Sequence, residues 1–229
     1  MKINANFDER VVVHSDQIEW LQSPMKGVMR RPLDRVGNEV ARATTIVRYV
    51  PGSHFSPHVH TGGEEFIVLD GVFQDEHGDF PVGSYIRNPP GSSHTPGSEP
   101  GCTIFVKLWQ FEPEDQTHIR VRLDEAAITS TENGVSERPL FQNSIERVSL
   151  YTFNAGAELE LDATGGAELL VVEGDIAEGT DALTARDWLR APIGSSLSVT
   201  AGADGATVWV KTGHLAHVDA QVERVQSAA

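Results

Sequence analysis

A single cysteine, Cys102, stands in a chain of 229 residues, so no intrachain disulfide can form. Its solitude matches a reducing compartment, and Cys102 reads as a small buried hydrophobe. Basic residues are also scarce: Lys and Arg total 18 against 33 Asp and Glu, a net charge of −15. Such a charge repels phosphate backbones and anionic bilayers, which argues against nucleic acid and membrane surfaces as partners. Long apolar runs are missing as well. Met1 to Arg10 lacks the apolar stretch of a secretion signal, and no segment reaches the roughly 20 residues that a membrane-spanning helix needs. A soluble cytoplasmic protein is the expectation. Helical signals are confined to two stretches, Asp181 to Leu189 and Val218 to Val225.

What fills the chain is strand signal. Arg10 to Val13 and Gln17 to Leu21 read as short strands or turns, and the step Arg31-Pro32 reads as a breaker. His14 stands alone there, as a surface or satisfied histidine. Thr44, Thr45, Ile46, Val47, Tyr49 and Val50 form a β-branched run that ends at Pro51-Gly52. Phe66 to Leu69 is an apolar run too short for a helix and stopped by Asp70-Gly71. Ile104 to Leu108 reads the same way.

Between Gly52 and His94 the strands carry chemistry. His58 and His60 are two apart, so on a strand both imidazoles leave one face. Thr61-Gly62-Gly63 predicts a tight turn whose glycines supply positive φ, and Glu64 begins the returning strand. His94 follows the turn signal Asn88-Pro89-Pro90-Gly91, and only a sheet that folds back brings it to the same place. A lone His-x-His pair is common by chance; the frame around it is not. Gly52, five residues, His58-x-His60, three residues, Glu64, six residues and Gly71 resemble the first motif of the cupin superfamily. Gly83, five residues, Pro89-x-Gly91, two residues and His94 resemble the second, which departs only at its end, where Ser98 stands in place of Asn. The resemblance implies a jelly-roll barrel with a metal held by His58, His60, Glu64 and His94. Three imidazoles and a carboxylate suit one divalent transition metal per chain, Zn, Fe, Mn, Ni or Cu. No catalytic residue is assigned; Tyr49, Tyr85, His54 and Trp109 are candidates for the cavity wall only.

The chain also resembles itself. Thr61-Gly62-Gly63 recurs 103 positions later as Thr164-Gly165-Gly166, and the same offset carries Glu65 to Glu168, Arg87 to Arg190, Pro89 to Pro192 and Gly91-Ser92-Ser93 to Gly194-Ser195-Ser196. The offset places Leu161, Ala163, Ala167 and Leu197 where His58, His60, Glu64 and His94 stand. The expected architecture is therefore all-β, two tandem cupin barrels: residues 1–125 binding metal and residues 126–229 a degenerate copy without ligands. Glu65 and Arg87, kept in both halves, read as structural.

Within cupins, the run from His58 to Gly71, followed by Phe73, Asp75 and Gly78, resembles the cupin domain of ChrR-type anti-sigma factors, a group also similar to acetylacetone-cleaving dioxygenases. The ChrR resemblance implies a regulatory or sensing module that responds to a reactive oxygen species or small ligand and signals through a protein partner. ChrR proteins grip their sigma factor with a separate helical zinc domain, whereas the first 40 residues here hold one histidine and no cysteine. The alternative is an iron-dependent dioxygenase acting on a small diketone or related carbonyl compound, with substrate or dioxygen at the metal. Either a monomeric two-barrel chain or a homodimer fits the duplication.

Overall fold

Short runs rich in β-branched and apolar residues, several buried along nearly their whole length, turn most of the chain into strands, and in the computed structural model, which describes residues 1–228, these fall into two compact units. Unit one comprises residues 1–5, 19–124 and 219–229, and unit two residues 6–18 and 125–218. The contiguous division at 125/126 differs from this at both ends of the chain. Val11–Val13 pairs with Trp188–Ala191 as a strand of unit two. In unit one, Gln221 of the C-terminal helix Val218–Ala228 is buried, accepts a hydrogen bond from Arg42 and donates to the Gln110 carbonyl. No helix of the described residues is long and apolar enough to cross a membrane.

In unit one the main sheet runs Lys2–Ile3, Val28–Gly37, Ala41–Tyr49, Cys102–Leu108, Glu64–Asp75, Ser84–Asn88 and Ile119–Arg122, all antiparallel neighbours. A second layer is made of His58–His60 against Ser92–His94, and Gly97–Ser98 against Ser53–His54. The strand Glu64–Asp75 serves both layers, pairing with Cys102–Leu108 up to Gly71 and, at Gln74, with Gly97. Gly71 permits the bend: its φ is +68°, and a Cβ there would lie 2.0 Å from the Gly101 carbonyl oxygen. Phe66, Val68, Phe73, Ile86, Ile104 and Val106 form the core between the layers. Each such side chain contributes roughly 1.5–3 kcal/mol through burial. The layers make a double-sheet jelly roll.

Unit two repeats the plan with Ser130–Glu132, Val135–Gln142, Arg147–Phe153, Ser195–Thr212, Ala167–Glu178, Trp188–Ala191 and Val11–Val13 in one sheet. The register repeats too. Leu161 faces Leu197 as His58 faces His94, and Ala163 faces Ser195 as His60 faces Ser92. Leu161, Ala163, Ala167 and Leu197 are all buried in the core of that unit and offer no donor atom.

Three local expectations need correction. Asp181 to Leu189 is not helical: Asp181–Thr184 and Trp188–Ala191 are strands joined by a turn in which Arg186 has φ +75°. Asp187 closes that turn by accepting the Thr184 N–H at 2.9 Å, and both strands add to Ala167–Glu178, so pairing overrides helix propensity. Pro32 does not break its strand. It sits inside Val28–Gly37 where the register slips between Pro32 and Asp34, and Pro139 occupies a like slip in unit two. A bulge tolerates proline because its missing N–H has no ladder partner to lose. Finally, only Gly63 of the Gly62-Gly63 pair has positive φ, +77°. Gly62 serves close approach instead, since a Cβ would lie 2.1 Å from the Trp109 ring.

Candidate metal centre

His58 and His60 leave one face of their short strand, and antiparallel pairing sets His94 directly opposite His58. The turn Thr61-Gly62-Gly63, closed by the Gly63 N–H donating to the His60 carbonyl at 3.1 Å, returns the chain so that Glu64 comes alongside. The structure thus brings the three histidines together with the carboxylate. One nitrogen from each of His58, His60 and His94 lies within 4.8 Å of the others. His60 Nε2 and His94 Nε2 are 3.0 Å apart, and Glu64 Oε2 is 3.3 Å from His60 Nε2 and 3.7 Å from His94 Nε2. Ligands placed about 2.0–2.1 Å from a common ion are separated by roughly 2.9–4.2 Å, depending on the angle between them. The separations among His60, His94 and Glu64 fall within that range and His58 lies within 4.8 Å of the other two imidazoles, so a small inward shift of the His58 ring completes a set that fits a bound transition metal.

The groups behind the ligands aim them. Asp75 Oδ2 lies 3.3 Å from His94 Nδ1, and the Ser56 carbonyl 3.2 Å from His58 Nδ1. An N–H donated from each Nδ1 leaves both Nε2 lone pairs free for coordination. Asn88 Nδ2 donates to Glu64 Oε2 at 3.2 Å. Burial acts first on each titrating group. It lowers the His60 pKa below its ordinary value, more than Glu64 raises it, which favours the neutral, coordinating form. Burial also acts to lower His94, but the Asp75 hydrogen bond and the Glu64 charge outweigh it and the net shift is upward. Asp75 is held below the ordinary carboxylate range because His94 and the His77 N–H more than offset its burial. In the sequence Asp75 stands out only within the ChrR-like run and Asn88 only as part of a turn signal; their roles behind His94 and Glu64 arise through contacts made by folding.

His58, His60 and Glu64 line one end of a cavity of about 350 Å³ whose walls include Val47, Tyr49, Ile104, Val106 and Trp109. Burial pushes the Tyr49 hydroxyl well above its ordinary pKa, so it remains a donor. Tyr85 and His54 are not wall residues: the Tyr85 hydroxyl donates to Glu65 at 2.6 Å, and His54 is an exposed partner of Glu99. His14, also outside the site, pairs with Asp187 at 3.0 Å. Cys102 is buried, and its thiol is pushed up to about 11, mainly by that burial.

Glu65 and Arg87 belong to the scaffold. Both are buried, 3.5 Å apart, with Arg87 also 2.7 Å from Asp115 and over the Phe111 ring at 4.2 Å. Glu168 holds the equivalent place in unit two, accepting from Trp188 at 3.2 Å and contacting His214 at 2.9 Å.

No functionally curated protein matches the chain. Among solved structures, it is similar to a putative dioxygenase from Nostoc punctiforme, at TM-score 0.70 and 14% identity over 94% of this chain and 83% of that one. A bacterial pirin from Escherichia coli in complex with nickel(II) gives TM-score 0.67 and 12% identity over 90% and 99%. An oxalate decarboxylase from Bacillus subtilis gives 0.61 and 14% over 89% and 76%. At these identities the likeness establishes the fold alone. The sequence profile of the ChrR Cupin-like domain matches twice, over residues 8–112 and 116–216, and the chain belongs to that family as a protein of two cupin domains.

Proposed function

We infer that His58, His60, Glu64 and His94 hold one divalent transition metal per chain, and that the protein is a cytoplasmic metal-dependent oxygenase of a small carbonyl compound. The observation that carries this reading is the cavity: three of the four ligands line about 350 Å³ of space whose wall is mixed, with Val47, Ile104 and Val106 beside polar and charged groups, and which is open to a small molecule. A metal bound there supplies Lewis-acid and redox chemistry toward a carbonyl substrate and dioxygen. The chain's own residues do the rest. Asp75, Asn88 and the Ser56 carbonyl orient the ligands, and Tyr49 keeps a proton available for hydrogen bonding in the cavity. Val47, Ile104 and Val106 exclude water and receive the carbon skeleton. The second barrel, with leucine and alanine at the ligand positions, acts as scaffold.

Protein purified without added metal, then loaded with Fe(II), should hold one equivalent per chain and consume oxygen with small β-diketones. His60→Ala should abolish both. Family membership supports the second reading, a sensor of reactive oxygen species or a small ligand that signals through a protein partner. Oxygen uptake absent with every metal across a broad carbonyl panel, in protein that retains one metal, selects the sensor.

A further inference from the structure

The register of unit one aims two arginines into the cavity. Arg30 stands opposite Val47 and, past the bulge, Arg35 stands opposite Ala43. Directly opposed residues share a face of the sheet. Across the next strands Val47 is opposite Ile104, Ala43 is opposite Leu108, and Leu108 is opposite Glu64. Arg35 is therefore on the same face as Glu64 at three strand spacings, roughly 14 Å between backbones. Both guanidinium-bearing residues line the metal-end cavity, and both also line a neighbouring depression of about 450 Å³. They stand at the mouth.

Neighbouring arginines are used differently. Arg31 and Arg48 stack on Trp20, at 4.4 and 4.2 Å from its ring centroid. Arg35 donates to the Gly37 and Asn38 carbonyls, neutral acceptors that orient the side chain without cancelling its charge. Arg30 is paired through its backbone in the sheet, while its guanidinium makes no hydrogen bond or ion pair among the described residues. Burial first, then the Arg30 charge, lowers the Arg35 pKa, with exposed Glu39 opposing. Two like charges thus face one space, which exposed Glu39 also lines, and the two guanidinium groups outnumber that one carboxylate at the mouth of a chain whose net charge is −15.

We propose that the cavity takes a small organic carboxylate whose oxygen-donor head reaches the metal and whose carboxylate is clamped by Arg30 and Arg35; this rests on the metal reading above. Guanidinium and carboxylate match in a planar, charge-assisted pair. The acidic surface repels anions only weakly at that point, because salt screens exposed charges beyond about 8 Å. Val47, Ile104 and Val106 suit the methylene carbons between the two polar ends.

Zinc-loaded protein titrated by calorimetry with succinylacetone, a β-diketone ending in a carboxylate, and with its methyl ester isolates the charge. The acid should bind roughly tenfold or more tightly than the ester. Arg30→Gln and Arg35→Gln should each reduce that preference, and the double variant should erase it, with ester affinity and zinc content unchanged. Should a glutamine variant fail to fold by circular dichroism, Arg30→Lys, which keeps the charge and loses the fork, should give an intermediate preference. Equal binding of acid and ester by the wild type overturns the proposal, as does a preference that survives loss of both arginines. Repeating the titration on metal-free protein separates the two readings: arginine-dependent binding without zinc retention leaves the clamp standing and removes the metal, whereas full zinc content with no acid preference does the reverse.

Discussion

Asp75→Asn tests whether the contact behind a ligand matters as much as the ligand. The two Asp75 oxygens serve different donors: Oδ1 accepts the His77 N–H at 2.7 Å, and Oδ2 stands 3.3 Å from His94 Nδ1. A carboxylate accepts from both, whereas an amide of the same shape has only one acceptor. In the variant, either the His77 N–H loses its partner or the NH2 group faces His94 Nδ1 and favours the tautomer whose proton sits on Nε2. That tautomer cannot coordinate. Losing such a partner typically costs 10–100-fold in metal affinity, about 1.4–2.7 kcal/mol. Zinc affinity should be measured by competition with a chromophoric chelator, with Asp79→Asn as control, because exposed Asp79 bonds only to Gln74 among the described residues. Affinity of the Asp75→Asn protein within twofold of wild type would refute the reasoning.

Glu65→Gln removes a buried charge paired with Tyr85 and Arg87 but touches no ligand; it should lower unfolding free energy by about 1–3 kcal/mol while zinc content stays at the wild-type value, read by urea denaturation and metal analysis. Gly62→Ala should cost about 1–3 kcal/mol, because the new methyl meets the Trp109 ring, and should weaken zinc binding because the turn joins His60 to Glu64; adding Trp109→Ala should restore part of the metal affinity. In unit two, burial raises the Glu137 pKa, but hydrogen bonds from Ser149, Arg147 and Tyr151 outweigh it and leave the value below its ordinary 4.5. Its stabilisation is therefore complete above that pH and is lost as pH falls through the folded value, so Glu137→Gln should flatten the acid limb of a stability profile.

The sequence by itself determined the two barrels, because strand length, turn glycines and the 103-residue repeat are local patterns that survive without coordinates. It also singled out His58, His60, Glu64 and His94, since period-2 geometry and motif spacing fix which side chains share a face, and the structure brings all four together. Expectations drawn from short-range propensity alone fared worse. Asp181 to Leu189 has helix-forming residues, yet pairing with Ala167–Glu178 decides its conformation. Only the tertiary structure decided the roles of Asp75, Asn88, Arg30 and Arg35. Each acts across strands that are distant in sequence, and register, unlike periodicity, is set by the whole sheet. The same holds for the chain ends: Val11–Val13 reads as a strand in any sequence window, but its partner, Trp188–Ala191, lies far along the chain, where a free sheet edge is available to it.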